Sequence, residues 1–290
     1  MTMSSPDASF PLISAEALRA SIGAVRLFDV RFDLARPEAG EAAWRAGHLP
    51  GAAYLHLDRD LSAKGGVAAL CGGRHPLPAR EVFAATAARL GLTPDTPVVV
   101  HDAQGGMFAA RAWWMLRWIG ARDVRVLDGG LAAWLAAGGA LEAGETPPPA
   151  PAGAWPLGPE PAGARLTVDE LADRLDRVAL LDARAPERYR GDVEPLDPVA
   201  GHIPGALNRP FSANLGPDGR FLPPAALREA FEALAGSGAG SRPVVHQCGS
   251  GVTACHNLLA MAVAGLPGGA LYAGSWSEWC ADPARPVAHG

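Results

Sequence analysis

The sequence predicts an α/β fold with two homologous domains, each a mainly parallel sheet flanked by helices. First, 290 residues are more than most single hydrophobic cores contain. Second, short β-branched runs alternate with helix-length segments of 3.6-residue periodicity, a pattern typical of βα units with parallel strands. Third, a set of motifs occurs twice in the same order, which predicts a duplicated domain.

The repeat is clearest in a hexapeptide, "GHLPGA" at 47–52 and "GHIPGA" at 201–206. Each copy follows a strand-like run that carries an acid, "VRLFDVR" and then "VALLDAR", and each precedes a predicted amphipathic helix. An apolar strand comes next, "PVVVHD" or "PVVHQC", and later "VLDGGLAAW" corresponds to "LYAGSWSEW". Five features in one order indicate duplication.

The predicted boundaries are an N-terminal domain at 10–142, a linker at 143–164 and a C-terminal domain at 165–290. The linker is rich in Pro and Gly, so it is predicted to be extended and semi-rigid. Because ligands of parallel sheets bind at the carboxyl ends of the strands, we expect the domains to pack face to face around a shared site.

Composition narrows the class of partners. The net charge of -5 and the absence of a long basic run argue against nucleic acid or an anionic membrane surface. The first residues lack the features of a secretory signal, and no apolar run approaches the roughly 18 residues that span a bilayer. Four cysteines without a CxxC pair give no disulfide framework. We therefore expect a cytoplasmic protein with reduced thiols.

Cys248 is the strongest candidate for a reactive group. It ends the predicted strand "PVVHQC", and a helix is predicted to begin near Thr253. Gly249 and Gly251 permit a loop whose backbone N–H groups point inward, beside the positive end of that helix. Such a loop stabilises a thiolate or persulfide anion, so Cys248 is predicted to be a nucleophile rather than a packed core cysteine. Cys255 is interpreted as core packing, and Cys71 and Cys280 have no chemical context.

Other roles for the cysteine conflict with neighbouring residues. Cysteine-dependent phosphatases need an Arg six positions after the cysteine, and Ala254 stands there. A zinc site is not expected, because His246, Cys248, Cys255 and His256 form no CxxC or HxxxH pair. In the first copy Asp102 occupies the position of Cys248, so the N-terminal domain is predicted to be catalytically inactive.

These motifs resemble the two-domain rhodanese-type sulfurtransferases. "CGSGVTA" is similar to the active loop of the 3-mercaptopyruvate sulfurtransferases, whereas thiosulfate-preferring rhodaneses usually carry basic residues directly after the cysteine. "AARAWWM", "DARAPERYRG" and "GSWSEW" also match the family, and the resemblance covers nearly the whole chain after about residue 10.

The resemblance implies ping-pong sulfur transfer. The Cys248 thiolate would take the outer sulfur of a donor, form a persulfide and pass the sulfur to a thiophilic acceptor such as cyanide, a small thiol or thioredoxin. No metal or organic cofactor is expected, because the cysteine itself carries the group. The favoured donor is 3-mercaptopyruvate. The alternatives are thiosulfate, or a binding or sulfur-relay module with slow turnover.

The resemblance also implies roles for further residues. Arg188 matches the arginine that holds the anionic end of the donor. Leu196, in "EPLD", stands where mercaptopyruvate enzymes commonly have a second arginine, and Arg190 is the predicted substitute. Ser250 matches the serine of a proton relay whose partners are predicted to be His75 and Asp58. His48 and His202 are expected to stabilise turns. The remaining predicted donor contacts are the loop residues Gly249, Gly251, Val252 and Thr253, and an apolar wall of Met107 and Phe108 from the inactive domain.

Overall fold

A computed structural model describes residues 10–147, 150–236 and 242–290. The N-terminal stretch that was assessed for a signal sequence therefore lies almost entirely outside the described residues. Two positions of the predicted linker, 148 and 149, and residues 237–241 of the C-terminal domain also lie outside them.

The first half of the chain forms a five-stranded parallel sheet in the order β1-β5-β4-β2-β3. Its strands are β1 (Leu12–Ile13), β2 (Arg26–Asp29), β3 (Ala53–Tyr54), β4 (Val98–His101) and β5 (Val124–Leu127). The helices are α1 (Ala15–Ser21), α2 (Ala39–Ala46), α3 (Arg80–Arg89), α4 (Ala109–Trp118) and α5 (Gly130–Ala136). Strand β4 is buried along its whole length, as expected for a central parallel strand.

The second half repeats this architecture, with a five-stranded parallel sheet in the order β6-β10-β9-β7-β8. Its strands are β6 (Arg165–Leu166), β7 (Ala179–Asp182), β8 (Leu207–Asn208), β9 (Val244–Gln247) and β10 (Ala270–Tyr272). The helices are α6 (Val168–Ala172), α7 (Pro186–Arg190), α8 (Pro224–Ala235), α9 (Thr253–Val263) and α10 (Ser275–Trp279), with a 3-10 turn at Phe211–Asn214. The predicted α/β fold of two homologous halves is confirmed.

The repeated sequence motifs have the same structural role in both copies. At the end of β2 the buried Asp29 pairs with Arg31 at 2.6 Å, and Arg31 donates a hydrogen bond to the carbonyl of Gly47 at 2.7 Å. The strand is thereby tied to the "GHxPGA" turn. In the second copy the corresponding contacts, 2.7 and 2.8 Å long, join Asp182, Arg184 and Gly201.

The two halves are packed together through one continuous apolar cluster to which both contribute. Helices α4 and α9 lie against each other across this interface. The described residues of the predicted linker contain neither helix nor strand, yet the linker is not free of the first sheet. Trp155 is buried, and its indole N–H donates to the carbonyl of Ile119 at 2.8 Å. Within the described ranges, no helix has the length and apolar character needed to cross a bilayer.

Candidate active site

Cys248 lies at the carboxyl end of β9, where the two halves of the molecule meet. Its side chain is buried, and it lines a cavity of about 170 Å³. The second half supplies the loop after β9 and the start of α9, and the first half supplies the opposite wall. The first-half residues in that wall are Leu34, Arg74, His75, Met107 and Phe108.

The shape of the loop after Cys248 depends on two glycines. Gly251 has φ +74, and a Cβ there would collide with the carbonyl oxygen of Ala273. A Cβ on Gly249 would lie 2.7 Å from Nη2 of Arg74. A side chain at either position would therefore displace the loop or the residues packed on it.

A strained serine holds the backbone of Cys248. Ser275 has φ 54, the one positive φ of a non-glycine residue in the described part of the chain. The Cys248 N–H donates to Ser275 Oγ at 3.1 Å, and that hydroxyl donates to the carbonyl of Tyr272 at 2.9 Å. Gly130 occupies the same place in the first copy, with φ +55. Sequence reasoning missed Ser275, although the alignment of "DGG" with "AGS" contained the signal.

Ser250, His75 and Asp58 are brought together across the domain interface. The hydroxyl of Ser250 and Nδ1 of His75 are 2.7 Å apart. Nε2 of His75 lies 3.6 Å from Asp58 Oδ1, which also pairs with Lys64 at 2.6 Å. Burial, helped by the Lys64 charge, lowers the pKa of His75 to about 3. The imidazole is therefore neutral at physiological pH.

A buried arginine from α4 fixes the relative position of the two loops that form this contact. Arg111 is fully buried, and Nη1 donates to the carbonyl of Gly251 at 3.0 Å. Nη2 donates to the carbonyls of Leu61 and His75 at 3.3 and 3.4 Å. Arg111 thus joins the cysteine loop to the segment that carries His75. It lies in the "AARAWWM" motif, whose interface role the motif alone did not reveal.

Two arginines, one from each half, stand over the loop. Arg188 lines the cavity and pairs with Glu194 at 2.7 Å and with Asp197 at 3.2 Å. Arg74, which sequence reasoning missed, also lines the cavity and pairs with the other carboxylate oxygen of Asp197. The carboxylate of Asp197 is thus held between two guanidinium groups.

The structure does not bring Arg190 to the cavity. Residues two apart on a helix point in different directions, so Arg188 and Arg190 of α7 face different surroundings. Arg190 is half exposed and pairs with Asp192 at 2.7 Å. Leu196 does line the cavity, as do the predicted contacts Met107, Phe108, Gly249, Val252 and Thr253. Gly251 is not part of the lining, because it supports the loop from behind.

The first-copy loop is filled by its own carboxylate. Asp102 accepts hydrogen bonds of 2.8–3.0 Å from four backbone N–H groups of the following loop and helix start. These donors are Gln104, Gly106, Phe108 and Ala109. A loop of this type can therefore hold an anion through its backbone, and in the first copy that anion belongs to the protein.

The remaining cysteines and the repeated histidines are in structural surroundings. Cys255 is completely buried, which raises the pKa of its thiol to about 12. Burial also raises the pKa of Cys71 and of Cys280. The Nδ1 atoms of His48 and His202 each lie 2.8 Å from a backbone carbonyl of the preceding helical segment.

Comparison with known proteins agrees with this architecture. A family model described as the rhodanese-like domain matches residues 14–137 and again 167–282. This chain belongs to the rhodanese family. The predicted family is thus confirmed, and the two matches correspond to the two sheets.

Full-length rhodanese relatives align with nearly all of the chain. A probable 3-mercaptopyruvate sulfurtransferase of Pseudomonas aeruginosa is 50% identical, with 97% of this chain and 99% of the relative covered. A putative thiosulfate sulfurtransferase of Mycobacterium tuberculosis is 46% identical, with 96% and 97% covered. Among solved structures, 3-mercaptopyruvate sulfurtransferase from Leishmania major has a TM-score of 0.83 at 30% identity, over 96% of this chain and 76% of its own.

Proposed function

We propose that this protein is a sulfurtransferase that moves sulfur from 3-mercaptopyruvate to a thiophilic acceptor through a persulfide on Cys248. The observation that carries the proposal is the 2.7 Å contact between Ser250 and His75, two residues after the cysteine and in the same cavity. Relatives named as mercaptopyruvate sulfurtransferases support the reaction class.

In the first half-reaction the Cys248 thiolate attacks the sulfur of the donor. The new S–S bond forms as the carbon–sulfur bond breaks, and the electron pair of that bond remains on carbon as the enolate of pyruvate. The donor thiol proton passes through Ser250 to Nδ1 of His75 and returns by the same route to the enolate carbon. Asp58 faces Nε2, so it favours the tautomer in which Nδ1 is the acceptor and stabilises the transient imidazolium.

The lowered pKa of His75 suits this role. Because burial disfavours the imidazolium, a proton that arrives is passed on rather than retained. In the second half-reaction an acceptor such as cyanide attacks the outer sulfur, which breaks the S–S bond and regenerates the thiolate.

The same contact favours 3-mercaptopyruvate over thiosulfate. A carbon leaving group must acquire a proton, whereas thiosulfate leaves sulfite, which needs none. A serine–histidine pair beside the cysteine therefore has a task only with the keto-acid donor. Thiosulfate remains the second candidate, because a close relative is named for that donor.

We further propose small thiols or thioredoxin as physiological acceptors and the cytoplasm as the compartment. The exposed apolar side chains of Leu34 and Leu196 at the cavity wall offer a contact surface to an acceptor protein. All four cysteines are free thiols, as a reducing compartment requires.

The test measures thiocyanate formation from each donor with cyanide as acceptor. The wild-type protein should turn over 3-mercaptopyruvate, and Cys248→Ser should reduce the rate to background. Cys71→Ser, which retains an acceptor for the Leu77 N–H, is the matched control and should keep full activity. If neither donor yields thiocyanate above the Cys248→Ser background, the protein is a binding or relay module instead.

Ser250→Ala and His75→Gln then separate the donors. Loss of a proton relay should lower kcat with 3-mercaptopyruvate by about 10²-fold or more and should leave thiosulfate turnover much less affected. Equal losses with both donors would show that the pair only supports the loop.

A further inference from the structure

The segment that carries Arg74 belongs to the first half of the chain but is attached to the second. The backbone N–H of Arg74 donates to Ser277 Oγ at 3.1 Å, and the N–H of Gly72 donates to Glu278 Oε1 at 2.6 Å. Both acceptors are in α10, directly beyond the strained Ser275. This anchoring fixes the position of the Arg74 side chain relative to Cys248.

The guanidinium groups of Arg74 and Arg188 converge on one point. The Cβ position of Gly249 lies 2.7 Å from Arg74 Nη2 and 3.4 Å from Arg188 Nη1. Gly249 follows Cys248 directly, so both nitrogens stand next to the reacting sulfur. The absence of a side chain at Gly249 leaves room for them.

Both nitrogens are available to a ligand. Arg74 uses Nη1 to pair with Asp197, and Arg188 uses Nε and Nη2 to bind Glu194 and Asp197. Among the described residues, neither Arg74 Nη2 nor Arg188 Nη1 donates a hydrogen bond to the protein. The acids therefore hold each guanidinium from one side, and the opposite nitrogen faces the loop.

We propose that Arg74 and Arg188 together form the subsite for the carboxylate of the sulfur donor, with Arg74 Nη2 and Arg188 Nη1 as its two donors. This inference rests on the proposed function, because it assigns the anionic end of the same donor. A carboxylate has two oxygens that accept charge-assisted hydrogen bonds side by side, and arginine is suited to such contacts. The adjoining Leu196 is apolar and cannot contribute a hydrogen bond.

Alkylation of Cys248 tests the subsite without any sulfur transfer. Iodoacetate carries a carboxylate and iodoacetamide does not, and both lose iodide to the same thiolate. The ratio of their rates at Cys248 therefore cancels changes in thiolate content and reports attraction of the carboxylate. Peptide mapping in a Cys71→Ser background confines the measurement to Cys248.

The rate ratio of iodoacetate to iodoacetamide should fall about tenfold in Arg74→Ala, the size expected for loss of one charge-assisted hydrogen bond. Arg74→Lys should retain an intermediate ratio, since it keeps the charge without the planar fork. Arg122→Ala is the matched control, because Arg122 pairs with Asp95 on the surface before β5, at the opposite end of the sheet. An unchanged ratio in Arg74→Ala and Arg74→Lys would show that Arg74 only joins the domains through Asp197.

Donor kinetics complete the test. With 3-mercaptopyruvate, Arg74→Ala should raise KM about tenfold and change kcat less, whereas a merely structural role would lower the melting temperature and leave KM unchanged. Failure of the proposed function would appear as absent thiocyanate in the wild type. Failure of the subsite would appear as normal wild-type turnover with an Arg74→Ala variant whose KM and alkylation ratio are unaltered.

Discussion

Acidification should destabilise this protein through its buried histidines. Burial lowers the pKa of His75 and of His246 to about 3, and that of His256 to about 4. The ordinary histidine value is about 6.5. All three side chains are therefore folded in the neutral form.

The sign follows from proton uptake in the two states. Below about pH 6.5 the unfolded chain binds protons at these histidines, and the folded chain does not until the pH approaches 3 or 4. Stability is thus complete above the unfolded value and is lost as pH falls through this window. Asp128 acts in the opposite direction, since burial raises its pKa and protonation relieves that cost.

The magnitude is substantial. One pH unit below the unfolded value costs about 1 kcal/mol for each buried histidine, so the three together remove roughly 3 to 4 kcal/mol at about pH 5.5. A typical domain has about 5–15 kcal/mol of stability, so this loss is a large fraction of the total.

Urea unfolding followed by tryptophan fluorescence, at about pH 7.5 and about pH 5.5, measures the effect. His246→Gln removes one titrating group far from the cysteine cavity and should shrink the difference by about 1 kcal/mol. His289→Gln, at an exposed position, is the control and should leave the difference intact. Equal free energies of unfolding at both pH values, or a full difference in His246→Gln, would refute the reasoning.

Three further predictions concern the two loops. Gly251→Ala should cost at least about 2 kcal/mol in denaturant unfolding, because φ is +74 and the new Cβ meets the Ala273 carbonyl. Asp102→Asn should cost roughly 2 to 4 kcal/mol in the same measurement, because an NH₂ group would face two backbone N–H donors. Ser275→Gly should keep the melting temperature and lower thiocyanate turnover, since it relieves φ 54 but removes the acceptor for the Cys248 N–H. Ser275→Ala should lower both, because it keeps the strain and loses the hydroxyl.

Each of these has a contrary outcome. A fully stable Gly251→Ala would mean that the loop can shift away from β10. If Asp102→Asn is as stable as the wild type, the loop backbone donors are satisfied in another way. Full turnover in both Ser275 variants would show that the Cys248 N–H needs no fixed acceptor.

The duplication explains why the sequence predicted so much of the fold. The two copies align residue by residue, and the structure contains matching bonds, Leu131 N–H to Asp102 carbonyl and Trp276 N–H to Cys248 carbonyl. The pairing of Asp102 with Cys248 was therefore readable from motif order. Local apolar runs also indicated β4 and β9, because buried parallel strands are continuously hydrophobic.

The site was less predictable where a contact joins the two halves. His75 was chosen through a family resemblance, and no local pattern places it on Ser250. Arg74, the residue directly before it, was passed over because its neighbours in space, Gly249 and Asp197, are remote in sequence. Arg190 was selected for its charge, but the helical turn of α7 directs it to Asp192. Side-chain direction and long-range proximity are properties of the packed fold rather than of spacing.

The attachment of the Arg74 segment to α10 separates two kinds of information along the chain. The reacting sulfur is encoded in the second half, whereas the residues proposed to recognise and protonate the donor, Arg74 and His75, are encoded in the first. Substitutions in the first half can therefore alter selectivity during evolution while the nucleophile loop stays unchanged. A chimera that takes its first half from a thiosulfate-preferring relative should inherit that relative's donor preference.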